Sequence, residues 1–169
     1  MRRALNALYD SAAAVAALCM VALLGMVMLG IAGRAAGFHL PGTDAYAGYL
    51  MAAAGFLALA HTLKRGEHIR VTLLLSALRP GPRRALELWS LAAASGLAGL
   101  LAFYSARLVW QSHAFNDIST GNDATPLWLP QLGMAVGTTV LLVALLDELV
   151  LEWRGLRARP ANAEQQRHE

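Results

Sequence analysis

The chain has 169 residues, room for one domain. It is 57% hydrophobic and 15% charged, with a mean hydropathy of +0.46, where a soluble domain carries about 45–50% apolar and about 25% charged residues. That balance excludes a soluble class and bulk disorder, and the single cysteine excludes a disulfide framework or a Cys-based zinc or iron–sulfur site.

An integral membrane protein remains. A spanning helix needs about 20 mostly apolar residues, and four stretches qualify, uncharged except at their end residues. The first covers residues 11–33, between Asp10 and Arg34. A signal-peptide core has only about 7–15 residues, and the Gly33-Arg34-Ala35-Ala36-Gly37 stretch is a poor cleavage site, so a retained helix is expected. A short loop with Gly37, Pro41 and Gly42 follows, and Thr43 or Asp44 is expected to cap the next helix through a side-chain oxygen.

The second span covers residues 45–63 and contains His61 near one end. After it, Lys64, Arg65 and Arg70 on one side and Arg79, Arg83 and Arg84 on the other flank a stretch too short to span. An amphipathic interfacial helix over residues 68–79 is expected there, anchored by arginines, with Pro80-Gly81-Pro82 breaking the chain behind it. The third span covers residues 87–107. A polar loop with Asn116, Asp117, Ser119, Thr120, Gly121, Asn122 and Asp123 then carries turn chemistry. The fourth span covers residues 124–147; Pro126 suits a first turn, and Pro130 either kinks the helix or marks a later start. Residues 158–169 read as a disordered tail.

Lys and Arg set the orientation. With the N-terminus inside, twelve of the fourteen fall on the cytoplasmic side and only Arg34 and Arg107 outside. The positive-inside rule then places both termini in the cytoplasm. This accounts for the basic pI without nucleic acid. The whole chain reads as a single all-α membrane domain of four helices. The runs do not alternate in polarity, as strands of a membrane barrel would, and backbone groups in lipid must bond internally.

Ionisable groups at membrane depth are the usual functional suspects, and the middles of these spans have none. His61 reads as an interfacial histidine hydrogen-bonded to a neighbouring helix or loop, with a proton-relay or ligand role as the alternative. Arg107 can snorkel outward or pair with Asp117. Asp147 and Glu148, with Glu152 and Trp153, read as an interface anchor. Gly133 and Gly137 match the small-xxx-small packing pattern. A haem protein needs paired histidines at similar depth, which are lacking. A self-sufficient homo-oligomeric four-helix transporter or channel needs a polar path, and the midplanes offer none. An accessory subunit of a larger transport complex, with no enzymatic centre and no cofactor, fits the pattern. No internal repeat of the transporter kind is visible.

The ordered motifs sharpen this. Gly66-Glu67-His68-Ile69-Arg70-Val71 after helix two, Asp44-Ala45-Tyr46-Ala47-Gly48-Tyr49 at its start, Asp117-Ile118-Ser119, and Thr125-Pro126-Leu127-Trp128-Leu129-Pro130-Gln131 leading to Gly137 resemble the small membrane subunit of tripartite ATP-independent periplasmic (TRAP) transporters. Two positions depart from that family: Thr72 stands where it usually has Asp, and Ala135 where it often has Pro. The resemblance implies a bacterial inner-membrane protein that packs against a large membrane subunit. That subunit imports an organic acid delivered by a periplasmic binding protein, driven by a sodium gradient. The small subunit is then a static scaffold that binds no substrate. On this reading His68 and Arg70 order the inner loop or contact the large subunit or lipid phosphate. Trp128 and Gln131 set the start of helix four, and Arg107 and Asp117 face the binding protein.

Overall fold

The computed structural model describes residues 2–38, 40–65, 80–121 and 123–155. The expected interfacial helix and tail lie outside the described residues. Four helices account for most of what is described: α1 (Arg2–Ala35), α2 (Thr43–Arg65), α3 (Pro80–Ala114) and α4 (Trp128–Trp153). All four are long and apolar enough to cross a membrane. Among the described residues β structure is limited to one isolated antiparallel bridge, Ile118 to Pro126.

The helices pack in the spatial order α1, α2, α4, α3, with only slight contact between α1 and α4. In lipid there is little hydrophobic gain in bringing helices together, so close van der Waals packing of small residues must do it. The buried set is accordingly rich in alanine: Ala12, Ala16, Ala54, Ala60, Ala98, Ala102, Ala135 and Ala144. On α1 the buried and half-buried positions are Leu5, Tyr9, Ala12, Ala16, Cys19, Leu23, Met26, Gly30 and Gly33, with Ala13 beside them. Their alternating steps of four and three are the spacing of a coiled-coil seam, and α1 lays that seam on α2. The remaining surface of α1 exposes Leu18, Val21, Leu24 and Met28.

The α2–α4 seam is tighter. A Cβ on Gly133 would lie 2.8 Å from Ala53 Cβ, and one on Gly137 would lie 2.5 Å from the carbonyl carbon of Phe56. The small-xxx-small pair of α4 is thus the face that lets these two backbones meet.

Helix ends explain where the loops turn. At the end of α1, Phe38 N–H donates to Gly33 O at 3.0 Å and Gly37 N–H to Arg34 O at 3.3 Å, with Gly37 at φ 77°. At the end of α3, Asp117 N–H donates to Ser112 O at 3.0 Å and Asn116 N–H to His113 O at 3.3 Å, with Asn116 at φ 52°. Both are Schellman caps, which need a left-handed residue that glycine supplies freely and asparagine tolerates.

Two local expectations are corrected, and the later start that Pro130 offered for the fourth helix is found. α2 begins at Thr43, with Tyr46 N–H donating to Gly42 O at 3.0 Å, so Gly42 and not Thr43 or Asp44 stands at the capping position; the Thr43 hydroxyl donates back to Leu40 O at 3.4 Å. Pro80-Gly81-Pro82 opens α3 as its first turn, where a proline's missing N–H had no partner to lose. The helix of the fourth span starts at Trp128, four residues later than its apolar run, because Ala124 turns at φ 46° and Pro126 pairs with Ile118. Pro130 then falls in the first turn of α4.

Candidate assembly surfaces at the two ends of the bundle

The start of α1, the end of α2, the start of α3 and the end of α4 come together at one end of the bundle, termed the basic end. Lys64 Nζ is the centre of its interactions. It bonds Asp147 Oδ2, stands 3.9 Å from Glu148 Oε1, and lies 5.1 Å from the centroid of the Tyr9 ring. The Lys64, Asp147 and Glu148 side chains are only 23%, 20% and 12% exposed. Tyr9 is 2% exposed, and among the described residues its hydroxyl has no hydrogen-bond partner. One ammonium therefore ties three helices: α1 through the face of Tyr9, α2 through its own backbone, and α4 through two carboxylates. Beside it, His61 Nδ1 lies 3.4 Å from Asp10 Oδ1, a second link between α2 and α1. The expected interfacial histidine thus finds its partner on the adjacent helix. Asp147 and Glu148, expected as an anchor to the membrane surface, instead turn inward to the lysine. Arg83 Nε bonds Glu87 Oε1 at 3.1 Å within α3, and Arg84 Nη2 donates to Trp153 O at 2.9 Å across to α4.

The opposite, loop end is organised by Asp123. Ser119 Oγ donates to its Oδ1 at 2.8 Å and Tyr49 of α2 donates to its Oδ2 at 3.0 Å. Gly121 N–H donates to Ser119 Oγ at 3.2 Å, and Thr125 Oγ1 donates to the Tyr46 hydroxyl at 3.0 Å. Tyr46 and Tyr49 meet edge to face with centroids 6.0 Å apart. Ser119 N–H donates to Thr125 O at 2.8 Å and Leu127 N–H to Asp117 O at 2.9 Å, closing a short hairpin. Partial loss of hydration raises the Asp123 carboxyl, but hydrogen bonds from Ser119, Thr125 and Tyr49 outweigh it and hold the group at about 2. Gly42, at φ 84°, passes so close that a Cβ would sit 3.0 Å from Asp123 Cβ. The carboxylate therefore fastens the α3–α4 loop to α2, while the Cα and Cβ of Asp123 pack against the α1–α2 turn at Gly42.

Four of the six residues singled out from the sequence fall at this loop end. Trp128 opens α4 and meets the His113 ring of α3 edge to face, centroids 5.4 Å apart. Gln131 is half-buried one turn on, and among the described residues its buried Oε1 has no hydrogen-bond partner. Asp117 has its backbone fixed at both N–H and C=O while its side chain is exposed. Arg107 is exposed on α3, and among the described residues it forms no ion pair with Asp117. His68 and Arg70 lie outside the described residues. Sequence reasoning missed Tyr9, Lys64 and Asp123 as organising residues. Tyr49 and Ser119 were visible within motifs, but no spacing rule pairs Tyr49 with Asp123, 74 positions away.

The fold and its two polar ends define a helical membrane protein whose charged side chains bind its own helices together at their termini. The family model of the DctQ component of tripartite ATP-independent periplasmic transporters matches residues 23–155, and the chain belongs to that family. No curated protein matches it. The chain is thus a small TRAP-transporter component of the bacterial inner membrane. Membership in a tripartite system implies a large membrane subunit and a binding protein as its partners.

Proposed function

We propose that this chain is a static scaffold that holds the large membrane subunit in the bilayer while that subunit imports an organic acid carrying a carboxylate. A periplasmic binding protein delivers the substrate, and a sodium gradient drives the uptake. The basic end lies in the cytoplasm, as the twelve-to-two distribution of Lys and Arg supports. The loop end faces the periplasm, with Asp117 and Arg107 turned toward the binding protein.

One observation carries this reading. Among the described residues, every ion pair lies at the basic end. Between the two ends, the Ser105, Thr138 and Thr139 hydroxyls bond their own helix backbone at 2.6–2.9 Å and line no polar path. A carrier needs ionisable or polar groups at depth; a wall needs packing faces, and α1 and α3 present them in Leu24, Met28, Leu97, Leu100 and Phe103. The inner loop supplies the test. His68→Ala or Arg70→Ala lowers assembly with the large subunit, and uptake with it, while the relative rates for competing substrates stay unchanged. A shift in substrate preference overturns the division of labour.

A further inference from the structure

Beyond the protein partners, the geometry points to a binding site for an anionic phospholipid headgroup on the α3–α4 seam at the basic end. Arg84, in the first turns of α3, donates one guanidinium N–H to Trp153 O at 2.9 Å. A guanidinium carries five N–H donors in a rigid fork, so this bond fixes its position and leaves the others for an acceptor. Arg154 is exposed one residue past that carbonyl. Among the described residues neither Arg84 nor Arg154 forms an ion pair: Glu87 is engaged by Arg83, and Asp147 and Glu148 face Lys64.

Depth identifies the ligand. Trp89, five residues further along α3, is 70% exposed, and Trp153 is 75% exposed. Indole rings left uncovered at the end of a spanning helix sit at headgroup level. Below Trp153, Val150 and Leu146 are also exposed and continue its face down α4 toward the membrane interior. A cationic fork above the Trp153 indole and an apolar track matches one molecule end to end: a phosphate, a glycerol backbone and an acyl chain. Arginine binds phosphate through paired N–H donors more specifically than a point charge does.

The test uses the full chain with Trp89→Phe, Trp110→Phe and Trp128→Phe, which leaves Trp153 as the reporter; the last substitution keeps an aromatic ring against His113. The chain is placed in phosphatidylcholine vesicles, and quenching by chain-brominated phosphatidylglycerol is compared with quenching by chain-brominated phosphatidylcholine. The site predicts preferential quenching by phosphatidylglycerol, about fivefold per arginine, the factor one such residue contributes at an anionic surface. Arg84→Gln with Arg154→Gln abolishes the preference, Arg84→Lys keeps most of it, and Arg107→Gln at the other end leaves it intact. Equal quenching by both lipids in the parent, or a preference that survives the double glutamine variant, overturns the site. If Arg84→Gln lowers thermal stability equally in both lipids with no change in preference, Arg84 is only a cap on α4, and the proposal fails.

Discussion

Gly137 of α4 lies against the backbone of Phe56 on α2, so close that a Cβ would stand 2.5 Å from the Phe56 carbonyl carbon and 2.6 Å from its oxygen. What it meets is main chain, which cannot rotate away as a side-chain tip can. Gly137→Ala must therefore push α2 and α4 apart, at about 1–3 kcal/mol for overpacking a close-packed seam. Gly55→Ala is the control: nothing lies within 4 Å of its Cβ position, and alanine is the better helix former. Thermal unfolding in detergent should show a clear loss for the first and none for the second. Equal behaviour of the two variants contradicts the seam.

Lys64 gives the second prediction. Its removal leaves Asp147 and Glu148 facing each other's charge in a site mostly closed to water. Lys64→Met should destabilise the chain by about 1–3 kcal/mol, between the value of an exposed pair and that of a buried one. Adding Asp147→Leu should recover much of the loss, since the stranded carboxylate goes with it. Additive losses in that double-mutant cycle, measured by the same unfolding assay, argue against coupling.

Asp123 gives a pH dependence with a defined sign. Its carboxyl is held at about 2, below the ordinary 3.8. A depressed carboxylate contributes stability that is fully present above its unfolded value and is lost as pH falls through the folded one. The loop clamp should therefore be insensitive to pH above about 4 and loosen between 4 and 2. Titration of the Ser119 and Gly121 amide resonances should give a midpoint near 2; a midpoint at the ordinary value contradicts the clamp. Asp123→Ala should open the 115–127 loop to protease at neutral pH.

Much of this architecture is legible in the chain because the bilayer imposes a length and a polarity on each element. The run from residue 11 to 33 must be helical in lipid, and Gly133 and Gly137 advertise a close seam before any partner helix is known. The start of α4 was less legible. Thr125 and Pro126 look like a helix start, yet hydrogen bonding to Ser119 and pairing with Ile118 hold them in a hairpin. The clusters around Lys64 and Asp123 were not legible at all. Each joins residues from distant helices, Lys64 to Asp147 and Tyr49 to Asp123, and only the packing order α1, α2, α4, α3 brings them together. Helix period alone leaves that order open.

The central claim is that this chain works as one wall of a larger assembly. Affinity purification of the tagged chain from native membranes in mild detergent, with mass spectrometry of what accompanies it, tests that most directly. A much larger polytopic membrane protein recovered in near-equal amount is the predicted result. Recovery of the chain alone as a defined homo-oligomer contradicts the account and favours a self-sufficient small transporter, with His61 and Asp147 as the first residues to substitute.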